Sequence, residues 1–150
     1  MENHYKLLFH SDAGFEGGVI ESLWAEKTGD NAYRIDSIPF YVTSVALGDV
    51  FSAEEKNGEL WGDELLEESG NSTIQVLFSD VNEVKPTGNM LYEKFGIEWE
   101  GSNLETLVAF NVPAETDYRK VRLLLDEGWE KWDFREACLS GRHQISVRNG

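Results

Sequence analysis

The sequence predicts an α+β protein, with a small curved β-sheet or partial barrel in its first half and a ferredoxin-like (split βαβ) arrangement in its second. Three observations carry this reading. Short apolar runs separated by turn residues fill the chain up to about residue 70. Beyond it the order becomes strand, helix, strand, strand, helix, strand. A 41% hydrophobic content with eight Phe, five Tyr and five Trp in 150 residues is enough to fill a core. The division expected is a β-rich subdomain over residues 1–70 and an α/β subdomain over 71–150, packed as one unit.

In order, Tyr5, Leu7 and Phe9 share one side of a two-residue alternation and read as a first strand. Gly14, Gly17 and Gly18 follow as a flexible loop. Ile20 to Glu26 and Ala32 to Ile38 are strand-like, joined by Thr28-Gly29-Asp30-Asn31, residue types that tolerate positive φ. In Leu23-Trp24-Ala25 and Ile38-Pro39-Phe40 the bulky residues read as structural, with Pro39 closing a strand, lying on an edge or setting a kink. Val42 to Val45 and Asp49 to Glu54 look extended, and Lys56-Asn57-Gly58-Glu59 turns before Leu60-Trp61.

In the second half, Thr73 to Phe78 is a strand and Pro86 to Phe95 a helix, with Thr87 as N-cap and Gly96 as stop. Ile97 to Glu100 alternates, Gly101-Ser102-Asn103 turns, and Leu104 to Val112 returns as a strand ended by Pro113. A second helix spans about Asp117 to Glu127, burying Tyr118, Val121, Leu124 and Leu125. Trp132 to Leu139 is the last strand, and the C-terminus beyond it is expected to fray.

Several chemistries find no support. The roughly 20 uninterrupted apolar residues of a membrane span are missing, and Met1-Glu2-Asn3-His4 lacks a secretory layout, so a cytoplasmic protein is expected. Cys138, the one cysteine, allows neither an internal disulfide nor a cysteine zinc cage; within a strand-like run it reads as a small core residue. His4 and His10 stand roughly 20 Å apart along a strand, too far for one metal. His143 has no paired Cys or Ser context, and neither a nucleophile elbow nor a phosphate-binding glycine loop is present. Glu64 with Glu67 or Glu68 would make a carboxylate pair on one helical turn, but with 28 acids such pairs arise by chance. No cofactor or metal is therefore expected.

Net charge is the strongest global feature. With 28 acids against 13 bases the chain carries −15, which repels phosphate backbones and anionic membranes. Residues 1–75 hold 15 acids and 4 bases, whereas residues 76–150 hold 13 and 9, so the first half carries the field.

Glu21-Ser22-Leu23-Trp24-Ala25, Tyr33 to Phe40, Leu47-Gly48-Asp49-Val50 and Gly70 to Val76 together resemble the DUF4265 family, a bacterial family of about this length. Leu107 to Pro113, Asp117-Tyr118 and Trp132 to Leu139 extend the resemblance over nearly the whole chain. It implies a fold and a bacterial source, and it carries over no catalytic residue. In bacteria, small acidic cytosolic proteins often serve as immunity proteins against toxins.

The candidate site is the acidic stretch from Asp49 to Glu68. Glu54, Glu55, Glu59, Asp63, Glu64, Glu67 and Glu68 surround Trp61, with Lys56 the single base. A plainly solvated face has this composition; so does a docking surface in which an aromatic anchor is ringed by charges that steer a basic partner. Asp126, Glu127, Trp129, Glu130, Trp132 and Asp133 repeat the combination, although Trp132 alternates with Phe134 and so can face the core. The functions expected are, in order, an immunity protein that covers the basic cleft of a cognate toxin, an intracellular adaptor or regulatory module, and an enzyme with an uncharacterised site. The partner expected is a basic protein, with no nucleic acid and no membrane involved.

Overall fold

A computed structural model describes residues 3–11 and 19–148. Among these it contains two largely antiparallel sheets and three helices, so the protein is α+β. The chain divides into two compact units, Met1–Ser69 and Gly70–Gly150. The loop expected at Gly14, Gly17 and Gly18 lies outside the described residues.

The first unit comprises β1 (His4–Ser11), β2 (Val19–Gly29), β3 (Ala32–Ile35), β4 (Val50–Lys56) and β5 (Glu59–Glu67). Each strand pairs antiparallel with the next, and β5 returns parallel to β1 through Leu7 with Leu60 and Leu8 with Trp61, closing a barrel. Alternation along β1, β2 and β3 builds most of the interior: Leu7, Phe9, Leu23, Ala25, Tyr33 and Ile35 point inward and are buried, and Phe51 of β4 packs with them. Asn57 (φ 54°) and Gly58 (φ 82°) both take positive φ and make the tight β4–β5 turn. At Gly62 a Cβ would overlap the Phe9 ring, so β5 can approach β1 only because that residue is glycine.

Val42 to Val45 does not form the expected strand, and β3 stops at Ile35. Val42 and Val45 are buried in the barrel core, but their segment is irregular. Its backbone amides are satisfied differently: the Glu21 carboxylate accepts from the N–H groups of Phe40 (2.7 Å), Tyr41 (2.9 Å) and Val42 (2.8 Å). One half-buried side chain thus replaces a strand ladder. Pro39, fully buried, lies in this segment beyond β3.

The second unit runs β6 (Ser72–Phe78), α1 (Val84–Phe95), β7 (Glu98–Gly101), β8 (Leu107–Val112), α2 (Tyr118–Glu127), β9 (Trp132–Cys138) and α3 (Gly141–Arg148). Its sheet has the order β7-β8-β6-β9. Ile74, Val76 and Phe78 of β6 and Val108, Phe110 and Val112 of β8 pack with Leu91 of α1 and Tyr118, Val121 and Leu125 of α2. Thr87 is not an N-cap: the helix begins at Val84, after a 3-10 turn capped by Asp80, and Thr87 is buried within it. β8 is shorter than expected, starting at Leu107, and leaves Leu104 exposed. Where fraying was expected beyond β9, Gly141–Arg148 forms the helix α3. None of these helices is long and apolar enough to cross a membrane.

Candidate functional site

The candidate acids belong to one β-hairpin, β4–β5, and the segment just after it. Glu54, Glu55, Glu59, Asp63, Glu64, Glu67 and Glu68 are all exposed. Lys56, the single base, approaches Glu54 at 4.0 Å, a weak pair between two exposed side chains. Trp61 is half-buried, lies directly across from Glu54, and stacks on the imidazole of His10 with ring centroids 4.8 Å apart. Glu64 and Glu67 lie on a strand, so the one-turn helical carboxylate pair does not form.

Asp49 does not belong to this surface. It is 2% exposed, and its carboxylate accepts hydrogen bonds from the N–H groups of Ala46 and Ser69, both at 2.9 Å. Burial raises its pKa, and the two amides act in the opposite direction. Its role is to hold the chain on either side of the hairpin.

The hairpin also presents an apolar element that composition did not mark. Leu65 and Leu66 are 48% and 51% exposed between Glu64 and Glu67. Two register shifts between β4 and β5, at Val50/Phe51 and Phe51/Ala53, break the inside–outside alternation there and turn both leucines toward solvent. A leucine pair framed by carboxylates has the anatomy of an interface, an apolar centre with a charged rim.

In the second unit, Trp132 is buried and its indole N–H donates to the Leu125 carbonyl at 3.0 Å, so it is a core residue. Trp129 beside it is 74% exposed. Cys138 is half-buried. α2 and α3 border an open, mainly apolar groove of about 490 Å³, lined by Leu123 and Val147 together with Arg119, Lys120, Arg122, Asp117 and Asp126.

His143 is the residue that sequence reasoning placed least well. It is 1% exposed, with Nδ1 2.6 Å from the hydroxyl of Ser72, which precedes it by 71 residues. Its Nε2 lies 3.1 Å from the Pro113 carbonyl, an acceptor only, so Nε2 carries the proton and the Ser72 hydroxyl donates to Nδ1. Ser72 Oγ also accepts from the Ser140 amide at 2.9 Å, and the ring stacks on Tyr118. The Tyr118 hydroxyl donates to Glu136 at 2.5 Å, and Arg122 donates to the same carboxylate. Burial, then the bond to Glu136, holds the Tyr118 phenol far above its ordinary pKa; burial lowers that of His143. The Ser–His pair has the hydrogen bond of an activated nucleophile, but Ser72 is fully buried and no substrate reaches it. The network ties α3 to the sheet. Among the described residues no group of three His, Cys, Asp or Glu side chains has the arrangement to hold a metal ion.

A family model described as a domain of unknown function, DUF4265, matches residues 21–132. The chain belongs to the DUF4265 family. No curated protein matches it. Among solved structures it is similar to a hypothetical protein from Neisseria gonorrhoeae, described as a novel crystal structure, at 22% identity and a TM-score of 0.74 over 93% of this chain and 96% of that one. At that identity the likeness speaks for the fold. The family match starts at Glu21, whose carboxylate organises the segment after β3, and spans the whole acidic hairpin.

Proposed function

We propose that this DUF4265 protein is an acidic binding protein of the bacterial cytoplasm whose β4–β5 hairpin docks on a basic protein, and that this partner is a cognate toxin neutralised by covering its basic active-site cleft. One observation carries the reading: seven exposed carboxylates accompany half-buried Trp61 and the exposed Leu65–Leu66 pair on a single hairpin and the residue just after it. The carboxylates raise the encounter rate with a basic surface, and the apolar groups supply burial once contact is made. A solvated face needs the charges but not the leucines. An adaptor with a less dedicated partner would use the same face.

The finer architecture belongs to the same proposal. The second unit reads as a split βαβ fold, supported by its element order and its β7-β8-β6-β9 sheet; the first reads as a strongly curved small sheet, supported by the β1–β5 pairing. The test of function is co-purification of the tagged protein from its native operon at low and high salt, with mass spectrometry of what is retained. The proposal requires a stoichiometric basic protein that salt releases; a retained small molecule with no protein would favour an enzyme instead.

A further inference from the structure

The outer face of the barrel carries a feature that the acidic hairpin does not explain. Across β2, β1 and β5, outward residues align in rows: Trp24 beside Lys6, Ser22 beside Leu8 and Trp61, Ile20 beside His10. Trp24 and Ile20 are 50% and 54% exposed, and the Leu8 and Trp61 side chains between them are only half covered. Beside this face lies an open depression of about 400 Å³ that shares Lys6, Leu8 and Ser22 with it and is closed by Gly58 and Glu59 at the hairpin turn.

Each tryptophan already holds a group resembling a ligand. The Lys6 ammonium sits over the Trp24 ring, 4.9 Å from its centroid, and the planar His10 ring stacks on Trp61 at an interplanar angle of 21°. Carboxylates stand nearby: Glu26 is two residues from Trp24 on the same strand face, Glu54 faces Trp61 across the β4–β5 pair, and Glu59 and Asp63 flank it along β5. Aromatic faces next to carboxylates favour a flat cation, because guanidinium stacks on the ring while its edge reaches the carboxylate.

We propose that this face docks an extended, arginine-bearing segment of a basic protein, one guanidinium on Trp24 and another on Trp61, displacing Lys6 and His10. The inference rests on the acidic-binding reading and names the chemistry of its partner. With strands about 4.8 Å apart and about 3.4 Å per residue, the two tryptophan positions are separated by roughly 12 Å, which an extended chain spans with arginines about four residues apart.

The test is titration of the intact protein, at low salt, with two synthetic peptides that differ only in carrying two arginines or two lysines at that spacing, read by the indole N–H signals of the five tryptophans in NMR spectra. The arginine peptide is expected to bind about fivefold more tightly than the lysine peptide. It should shift the Trp24 and Trp61 signals and leave those of Trp129 and Trp132 in place. In Trp24→Leu and Trp61→Leu, both at partly exposed positions, the arginine preference should fall while the fold persists by circular dichroism. Equal affinity for the two peptides, or shifts at other tryptophans, overturns the inference and leaves the acidic-binding reading standing. Failure of both peptides to bind overturns the two together.

Discussion

His143→Ala is expected to destabilise the second unit by several kcal/mol although the residue has no part in the proposed interface. The side chain makes a buried hydrogen bond with the Ser72 hydroxyl and a partly buried one with the Pro113 carbonyl, and its ring stacks on Tyr118. Its removal leaves the fully buried Ser72 hydroxyl without an acceptor, at about 1–3 kcal/mol, takes one of two donors from the Pro113 carbonyl, which keeps the Thr116 N–H, and opens a cavity against Tyr118. A total of about 3–5 kcal/mol is expected. The effect also depends on pH. Burial lowers the folded-state pKa of His143 below its ordinary 6.5, so below that pH the unfolded chain takes up a proton that the folded chain refuses. The stability His143 contributes is therefore complete above pH 6.5 and declines as pH falls toward the lowered folded value. Tyr118 stacks on the ring, and the positive charge of exposed Arg142 adds to the penalty on a charged imidazole. Urea unfolding of the wild type and of His143→Gln between about pH 7 and about pH 5 isolates the term, because the other titrating groups are common to both. A loss under about 1 kcal/mol in the alanine variant, or equal pH slopes in wild type and glutamine variant, would refute the network as a structural tie.

Other substitutions test the packing within each unit. Gly62→Ala drives a methyl into the Phe9 ring, itself packed edge-on against Phe51 at 5.1 Å, and should cost about 1–3 kcal/mol by chemical denaturation; a neutral result would mean that β5 lies farther from β1. Glu21→Gln replaces one acceptor oxygen with a donor opposite three converging amides and should cost about 2–3 kcal/mol, with faster hydrogen exchange at Phe40 to Val42 as its local signature; unchanged exchange there would refute the role. Trp129→Ala should alter the melting temperature little, since the side chain is 74% exposed, whereas Trp132→Ala should cost about 3–5 kcal/mol; similar losses at both would reverse the core assignment.

Alternation made most of the first unit legible. Leu7 and Phe9, Leu23 and Ala25, Tyr33 and Ile35 point inward because a strand with one buried face imprints a period of two on its sequence. Val42 to Val45 misled because buried valines read as strand, while the group that satisfies their backbone, Glu21, stands on β2 some twenty residues earlier. The same distance problem hid His143. Its partner Ser72 belongs to another strand, and α3, with exposed Ile145 near buried His143, offers little apolar periodicity to mark a helix. Thr87 misled as an N-cap because Asp80 starts a 3-10 turn that carries the helix back to Val84. In the candidate site, composition found the seven acids and Trp61. The exposure of Leu65 and Leu66 depends on two register shifts that no residue type announces, and that of Trp24 on its outward place in β2.

The proposed docking of the β4–β5 hairpin on a basic protein is decided by salt-resolved capture with a charge-reversed hairpin. Wild type and the Glu55→Lys, Glu59→Lys, Glu64→Lys triple variant, all changed at exposed positions, are tagged, expressed from the native operon and compared for what each retains across a salt series. The wild type should hold one basic protein in stoichiometric amount and release it as salt rises, and the folded triple variant should hold little or none of it. A partner held equally by both proteins, or indifferent to salt, would contradict the claim and place the interface elsewhere on the chain.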